Sequence, residues 1–299
     1  MNLLFALSRA LLLRASRASA LGDLVQRTAW GRRSVRRFVA GDSIGAAVAA
    51  AEEMRARGFL ATLDRLGEAS VGARADAYAV DAMTLLRAQA TAGLEPNVSV
   101  KLTALGLAEG RAAARLDDIL VAAREVGGFV RVDAEHPESL DALHAIVLAA
   151  RGNGFPVGTV LQANMRRSEG DLDRLAAAGV PLRLVKGAYD PKGEGVGDPA
   201  AVDAAYLKLA ERLLSARIPV ALGTHDDAII SALAPRAKGV AEAQLLYGVR
   251  SDLAERLVAD GWRVRIYTPY GREWWPYALR RMAERPANLR FVLRSLFGG

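Results

Sequence analysis

Phe129-Val130-Arg131-Val132-Asp133 is a short run of large apolar and β-branched residues that ends on a carboxylate. It is too short for a helix, and its composition predicts a buried strand whose C-terminal end carries charge. The same pattern returns along the chain. It appears as Phe59-Leu60-Ala61-Thr62-Leu63-Asp64, Val98-Ser99-Val100-Lys101-Leu102, Thr159-Val160-Leu161-Gln162 and Leu182-Arg183-Leu184-Val185-Lys186. It appears again as Pro219-Val220-Ala221-Leu222-Gly223, Gly239-Val240-Ala241-Glu242-Ala243-Gln244 and Val264-Arg265-Ile266-Tyr267. Stretches rich in Ala and Leu separate these runs and predict helices over 74–92, 109–125, 139–153, 169–178, 199–216, 226–234, 250–260 and 273–285. Eight strand–helix units in 299 residues predict an α/β fold, a closed (β/α)₈ TIM-type barrel. An open, doubly wound parallel sheet is the alternative on pattern alone. Residues 1–57 read as an N-terminal helical arm, 58–299 as the barrel, and the last helix is expected to lie over the barrel mouth.

Composition narrows the chemistry. Cysteine is absent, so disulfides, thiolate metal sites and a cysteine nucleophile are excluded. His136, His144 and His225 lie far apart without metal-ligand spacing, and no metal is expected. The net charge of +7 resides in the arm, where residues 1–40 hold eight arginines against the single acid Asp23. The rest of the chain balances, so a globally basic nucleic-acid-binding fold is not expected. No apolar run has the length of a membrane span. The apolar N-terminus is interrupted by Arg9 and Arg14, which favours an amphipathic helix over a secretory signal. No dinucleotide fingerprint follows any strand; Gly193, Gly195 and Gly197 have the wrong spacing.

In a barrel of this type the chemistry sits at the C-terminal ends of the strands. Here those ends carry Asp64 and Glu68, Lys101, Asp133 and Glu135, Gln162 and Asn164, Arg183 and Lys186, Thr224 and His225, Glu242 and Gln244, and Tyr267. A single such residue is more often a structural hydrogen bond. Recurrence at nearly every strand end is the signal, because clustered charges must pair or meet a ligand to offset desolvation. In Lys186-Gly187-Ala188-Tyr189, glycine lets the backbone approach a ligand between flanking cations. Near the C-terminus, Tyr277, Arg280, Arg281 and Glu284 fall at i, i+3, i+4 and i+7 of one helix, with Pro276 suited to its first turn. Two adjacent guanidiniums with one carboxylate leave spare positive charge for an anion held bidentately. The plainer reading is a solvated basic face.

Taken in order, these motifs resemble the proline dehydrogenase family of flavin-dependent (β/α)₈ enzymes. The matching segments are Thr62-Leu63-Asp64-Arg65-Leu66-Gly67-Glu68, Ser99 to Leu102, Val132 to Glu135, Leu161-Gln162-Ala163, Arg183 to Tyr189, Thr224-His225, Glu242 to Gly248, Arg265-Ile266-Tyr267 and Tyr277 to Glu284. They span roughly residues 58–290. The tyrosine, two residues, Arg-Arg, two residues, glutamate pattern is the most specific. The resemblance implies FAD-dependent oxidation of L-proline to Δ¹-pyrroline-5-carboxylate, the first step of proline catabolism to glutamate. On this reading Arg280 and Arg281 hold the proline carboxylate with help from Lys101, and Glu284 orders the arginines. Tyr267, Tyr277 and Leu246 box the ring, Tyr189 lies near, and Asp133 positions Lys101 or an arginine. Gln162, Arg183, Val185, Lys186, Gly187, Ala188, Thr224 and His225 hold FAD, with Arg183 near the reactive end of the flavin. Asn164 and Ala243 depart from the family, where an aromatic and a larger apolar residue are common.

The resemblance also implies a membrane quinone as electron acceptor. The expected place is the cytoplasm, with the basic arm able to bring the chain to the inner face of the membrane. Two other readings compete. A Schiff-base aldolase on the same barrel would use Lys101 or Lys186 and needs a lysine of lowered pKa. A membrane- or nucleic-acid-binding protein would work through the arm alone.

Overall fold

The computed structural model describes residues 37–274 and Tyr277. Eight strands close a barrel in chain order: β1 (Leu60–Arg65), β2 (Asn97–Val100), β3 (Phe129–Val132), β4 (Val157–Gln162), β5 (Leu182–Val185), β6 (Val220–Gly223), β7 (Ala241–Leu246) and β8 (Arg263–Tyr270). Every neighbouring pair is parallel, and closure comes from β8 against β1, with Leu60 opposite Arg265 and Arg65 opposite Tyr270. Closure leaves no unpaired sheet edge. The open-sheet alternative is thereby excluded.

Helix α1 (Ile44–Ala56) precedes the barrel. Its N-terminus is capped by Ser43, whose hydroxyl accepts from the Ala46 N–H at 3.3 Å. Ala47, Ala50, Ala51 and Met54 recur at helical spacing and are buried in the main core. Between strands run α2 (Ala73–Thr91), α3 (Ala112–Glu125), α4 (Leu140–Gly152), α5 (Ser168–Ala177), α6 (Pro199–Ser215), α7 (Asp227–Ala237) and α8 (Ser251–Ala259). The main core lies between this helical ring and the sheet. Leu85, Leu86, Leu116, Ile119, Leu120 and Leu143 are among its fully buried side chains. None of the described helices is long and apolar enough to cross a membrane.

Element boundaries differ from the sequence reading in two instructive places. Helix α7 continues through Pro235 to Ala237, although a proline inside a helical pattern argues for a stop. Pro235 falls in the last turn, and the Lys238 N–H closes the helix on the Ala234 carbonyl at 3.1 Å. Strand β7 begins at Ala241, two residues later than its apolar run. Glu242 therefore lies near the N-terminal end of β7, at the barrel base, and the expectation that it belongs to the mouth is corrected. The predicted helix over 273–285, including Arg280, Arg281 and Glu284, lies outside the described residues except for Glu273, Trp274 and Tyr277 at its start. Most of the predicted helical arm, residues 1–36, also lies outside them.

Candidate active site

Asp133 immediately follows β3 and is the hub of the mouth. Its Oδ1 accepts from Ser99 Oγ at 2.8 Å and from Arg183 Nη1 at 3.0 Å. Its Oδ2 accepts from the Tyr267 hydroxyl at 2.7 Å and lies 3.8 Å from Lys101 Nζ. These donors stand on or at the ends of β2, β5 and β8. Arg183 and Tyr267 therefore reach Asp133 across the interior rather than along a strand pair. Lys101 is held mainly by Asp64, at 3.0 and 3.1 Å to its two oxygens. Two carboxylates, one ammonium and one guanidinium make a charge-balanced floor, the arrangement needed to bury charge without a large desolvation penalty.

Burial pushes the Asp64 carboxyl up to about 6; the Lys101 ammonium pulls it down, and the charge of Asp133 pushes it up. For Lys101, burial favours the neutral amine, but Asp64, Tyr267, Tyr78 and Asp133 outweigh it and hold the ammonium well above the usual lysine range. Burial, then the charges of Asp133 and Asp64, raise the Tyr267 phenol well above its ordinary value. Tyr267 therefore remains a hydroxyl donor at neutral pH. The Arg183 guanidinium also lies over the Tyr267 ring, 5.2 Å from its centroid.

Above this floor opens a cavity of about 650 Å³. Of the residues assigned to the substrate side from sequence, Lys101, Asp133, Tyr189, Leu246, Tyr267 and Tyr277 line it. Of those assigned to the cofactor side, Gln162, Arg183, Val185, Lys186, Gly187, Ala188, Thr224 and His225 line the same cavity. Arg280, Arg281 and Glu284 are outside the described residues. Tyr277 packs into a second apolar cluster with Phe38, Val39, Leu66, Val249 and Trp274, against Leu246. This cluster joins the segment before α1 to the segment after β8 above the barrel.

The residues around the cavity suit a flavin nucleotide on three observations. Arg183 Nη2 and Gln162 Oε1 are buried with no hydrogen-bond partner among the described residues, and both side chains line the cavity. Gly187 adopts φ +115°, a conformation for glycine, so the chain there presents backbone to the cavity. Lys186 adds a cation at the rim. Its Nζ lies 2.8 Å from Asp226 and 2.5 Å from Asp203; burial works against its charge, but those carboxylates outweigh burial and raise its pKa.

Local structure explains the turn after β5. The Asn164 N–H donates to the Lys186 carbonyl at 2.9 Å, and its Nδ2 donates to the Tyr189 carbonyl at 3.2 Å. Asn164 thus braces the Gly187 turn from behind and does not line the cavity. The departure at this position has a packing reason. His225 is oriented by the Leu246 N–H, which donates to its Nε2 at 3.0 Å and so favours the tautomer protonated on Nδ1. Tyr189 donates to Glu68 at 3.4 Å and packs edge-on against His136 at 4.7 Å between centroids.

Ser99, Gln244 and Asp226 received no role from sequence, yet they hold Asp133, Arg183 and Lys186 respectively. The available signals were weak. Ser99 stands two residues before Lys101, Gln244 two before Leu246, and so on the same side of their strands. Asp226 directly follows Thr224-His225. Among the described residues there is no cluster of His, Cys, Asp or Glu able to hold a metal ion.

Comparison with known proteins gives the family and the fold. The family model for proline dehydrogenase matches residues 47–294. The proline dehydrogenase of Deinococcus radiodurans is 37% identical over 278 residues, covering 88% of this chain and 90% of that protein. Proline dehydrogenase 1 of Bacillus subtilis strain 168 is 34% identical over 279 residues, covering 90% and 92%. Among solved structures, proline utilization A (PutA) from Bdellovibrio bacteriovorus superposes with a TM-score of 0.77 at 24% identity, covering 87% of this chain and 34% of that one, a likeness of fold. A closed barrel with this charged mouth, matched along nearly its whole length by these relatives, belongs to the proline dehydrogenase family.

Proposed function

We propose that the cavity at the barrel mouth binds L-proline beside FAD, with the floor of Asp64, Lys101, Asp133, Arg183 and Tyr267 setting the charge around both. The chain is an oxidoreductase of the proline dehydrogenase family, acting on L-proline in the first step of its catabolism. When bound, FAD would accept the hydride from C5 of proline, and loss of the amine proton completes the C=N bond of Δ¹-pyrroline-5-carboxylate. The protein supplies position and charge. Lys101, fixed by Asp64, offers an ammonium to the substrate carboxylate, and Arg280 and Arg281 complete the clamp. Tyr267, Tyr277 and Leu246 give the pyrrolidine ring an apolar wall, with Tyr189 alongside. Arg183, whose Nη2 has no partner among the described residues, would face the flavin, where a fixed cation stabilises the negative charge that the ring gains on reduction. Gln162, Val185, Lys186, Gly187, Ala188, Thr224 and His225 hold the remainder of the cofactor.

The observation that carries this reading is the pairing of Asp133 with Arg183 and Tyr267 under a cavity where Arg183 Nη2 and Gln162 Oε1 are buried without a partner among the described residues. The aldolase reading loses support from its lysines. A Schiff-base lysine needs a lowered pKa, whereas Lys101 and Lys186 are each paired with carboxylates that raise it. The basic part of the arm ahead of α1 is a membrane-surface element in this proposal, and the electron acceptor is a membrane quinone. The test is the visible spectrum of the purified protein under anaerobic conditions. Flavin absorbance that bleaches on adding L-proline is expected. A flavin band unchanged by L-proline, or no flavin in a protein that still oxidises proline, would refute the assignment.

A further inference from the structure

Below the mouth, Arg183 continues into a second polar system whose other members, Gln244, Glu242 and Arg265, have no part in the reaction described above. Arg183 Nε donates to Gln244 Oε1 at 2.5 Å, and Gln244 Nε2 donates to Glu242 Oε1 at 2.6 Å. Glu242 also accepts from Arg265 Nε at 2.7 Å and from Arg263 Nε at 3.1 Å. Arg265 in turn donates to the Ala61 carbonyl at 2.8 Å and pairs with Glu95. Glu242, Gln244, Arg183 and Arg265 thus form one hydrogen-bonded chain from the base of the barrel to the cavity floor. Gln244, Arg183 and Arg265 are buried.

The order of donors and acceptors in this chain is fixed. Arg183 Nε can only donate, and the Glu242 carboxylate can only accept. The Gln244 amide between them must turn its oxygen to Arg183 and its nitrogen to Glu242. The opposite orientation would face two donors at one end and two acceptors at the other. Burial alone would push the Glu242 carboxyl up, but Arg265, Gln244 and Arg263 outweigh it and hold the group ionised. With Nε committed to Gln244 and Nη1 to Asp133, the guanidinium plane has no freedom left, and Nη2 is the remaining edge.

We propose that Glu242, acting through Gln244, is a positioning residue that aims the Nη2 edge of Arg183 at the ligand in the cavity. The proposal rests on the assignment of Arg183 to the flavin. Glu242 itself does not line the cavity.

Three variants test it in the flavin-loaded enzyme: Glu242→Gln, Gln244→Met and the double exchange Glu242→Gln with Gln244→Glu. The readouts are the midpoint potential of the bound flavin and the proline-driven rate of its reduction. Glu242→Gln should move the potential to more negative values and slow reduction about tenfold, with KM for proline changed less than about twofold. Gln244→Met leaves the Glu242–Arg265 pair intact and should give the same loss, which covers the case in which Glu242→Gln fails to fold. In the double exchange, a carboxylate at 244 accepts from Arg183, an amide at 242 donates to it and accepts from Arg265, and net charge is unchanged. It should recover potential and rate to within about twofold of the parent. Wild-type values in Gln244→Met, or a folded double exchange no better than Glu242→Gln, would overturn the proposal. Arg183→Lys separates the two levels. An unchanged potential there refutes the role of Arg183 itself, whereas a shift there without one in Gln244→Met refutes the relay alone.

Discussion

Gly187→Ala isolates the turn on which the cofactor side of the cavity depends. Gly187 has φ +115°, where an L-residue carries backbone strain of about 1–3 kcal/mol. A Cβ at this position would lie 2.6 Å from Asn164 Nδ2, with Asn164 Oδ1 and Cγ closer still. Asn164 cannot yield by moving its backbone. Its N–H donates to the Lys186 carbonyl at 2.9 Å, and its own carbonyl accepts from Val196 at 3.0 Å. The side chain must rotate away and give up its bond to the Tyr189 carbonyl, at a cost of about 1 kcal/mol. Together the substitution costs about 2–4 kcal/mol. Expressed locally in the turn, that corresponds to a loss of FAD affinity of roughly 30- to 1,000-fold. The assay is fluorescence titration of FAD into the flavin-free protein for wild type, Gly187→Ala, Asn164→Ala and the double variant. Removing the Asn164 side chain should relieve the collision and leave the backbone strain, so the double variant should bind FAD more tightly than Gly187→Ala. Wild-type affinity in Gly187→Ala, or strict additivity of the two substitutions, would refute the reasoning.

Two further outcomes follow from the floor. Tyr267→Phe removes a hydroxyl that donates to Asp133 at 2.7 Å, a bond to a charged acceptor contributing about 1.5–3 kcal/mol. Turnover should fall about tenfold or more with flavin content unchanged, and turnover equal to wild type would separate Tyr267 from the Asp133 hub. The Asp64 carboxyl, raised by burial to about 6, gives a pH dependence of defined sign. A folded pKa above the unfolded one means that the stabilising contribution is fully present below the unfolded value, about 3.9, and is lost as pH rises through 6. The stability of wild type relative to Asp64→Asn, from denaturant midpoints, should therefore decline between about pH 4 and 7; a difference growing with pH would place the folded pKa below the unfolded one.

Much of the fold was legible because strand length and β-branched composition are local properties. Runs such as Phe129 to Asp133 fix where strands lie, and eight of them at barrel spacing fix the class. Boundaries were less legible, because the apolar content of Gly239 to Ala243 does not reveal that β7 pairs from Ala241 onward. That two-residue difference moved Glu242 from the mouth to the base and turned it from a candidate site residue into the partner of Arg265 and Gln244. Of the residues read as strand-end charges, Asp133 and Lys101 do follow their strands, whereas Arg183 is the second residue of β5 and Tyr267 lies within β8, and both reach the cavity from inside the barrel.

Which of these residues pair could not be read from the chain. Lys101 is held by Asp64, Arg183 by both Asp133 and Gln244, and Lys186 by Asp203 and Asp226, contacts made across the barrel or between neighbouring strand–helix units. Sequence patterning sets the inward phase of each strand, one strand at a time. The partners, the charged state of the lysines and the edge of Arg183 left for a ligand depend on strand stagger and barrel closure. These are properties of all eight strands together, and they exist only once β8 has met β1.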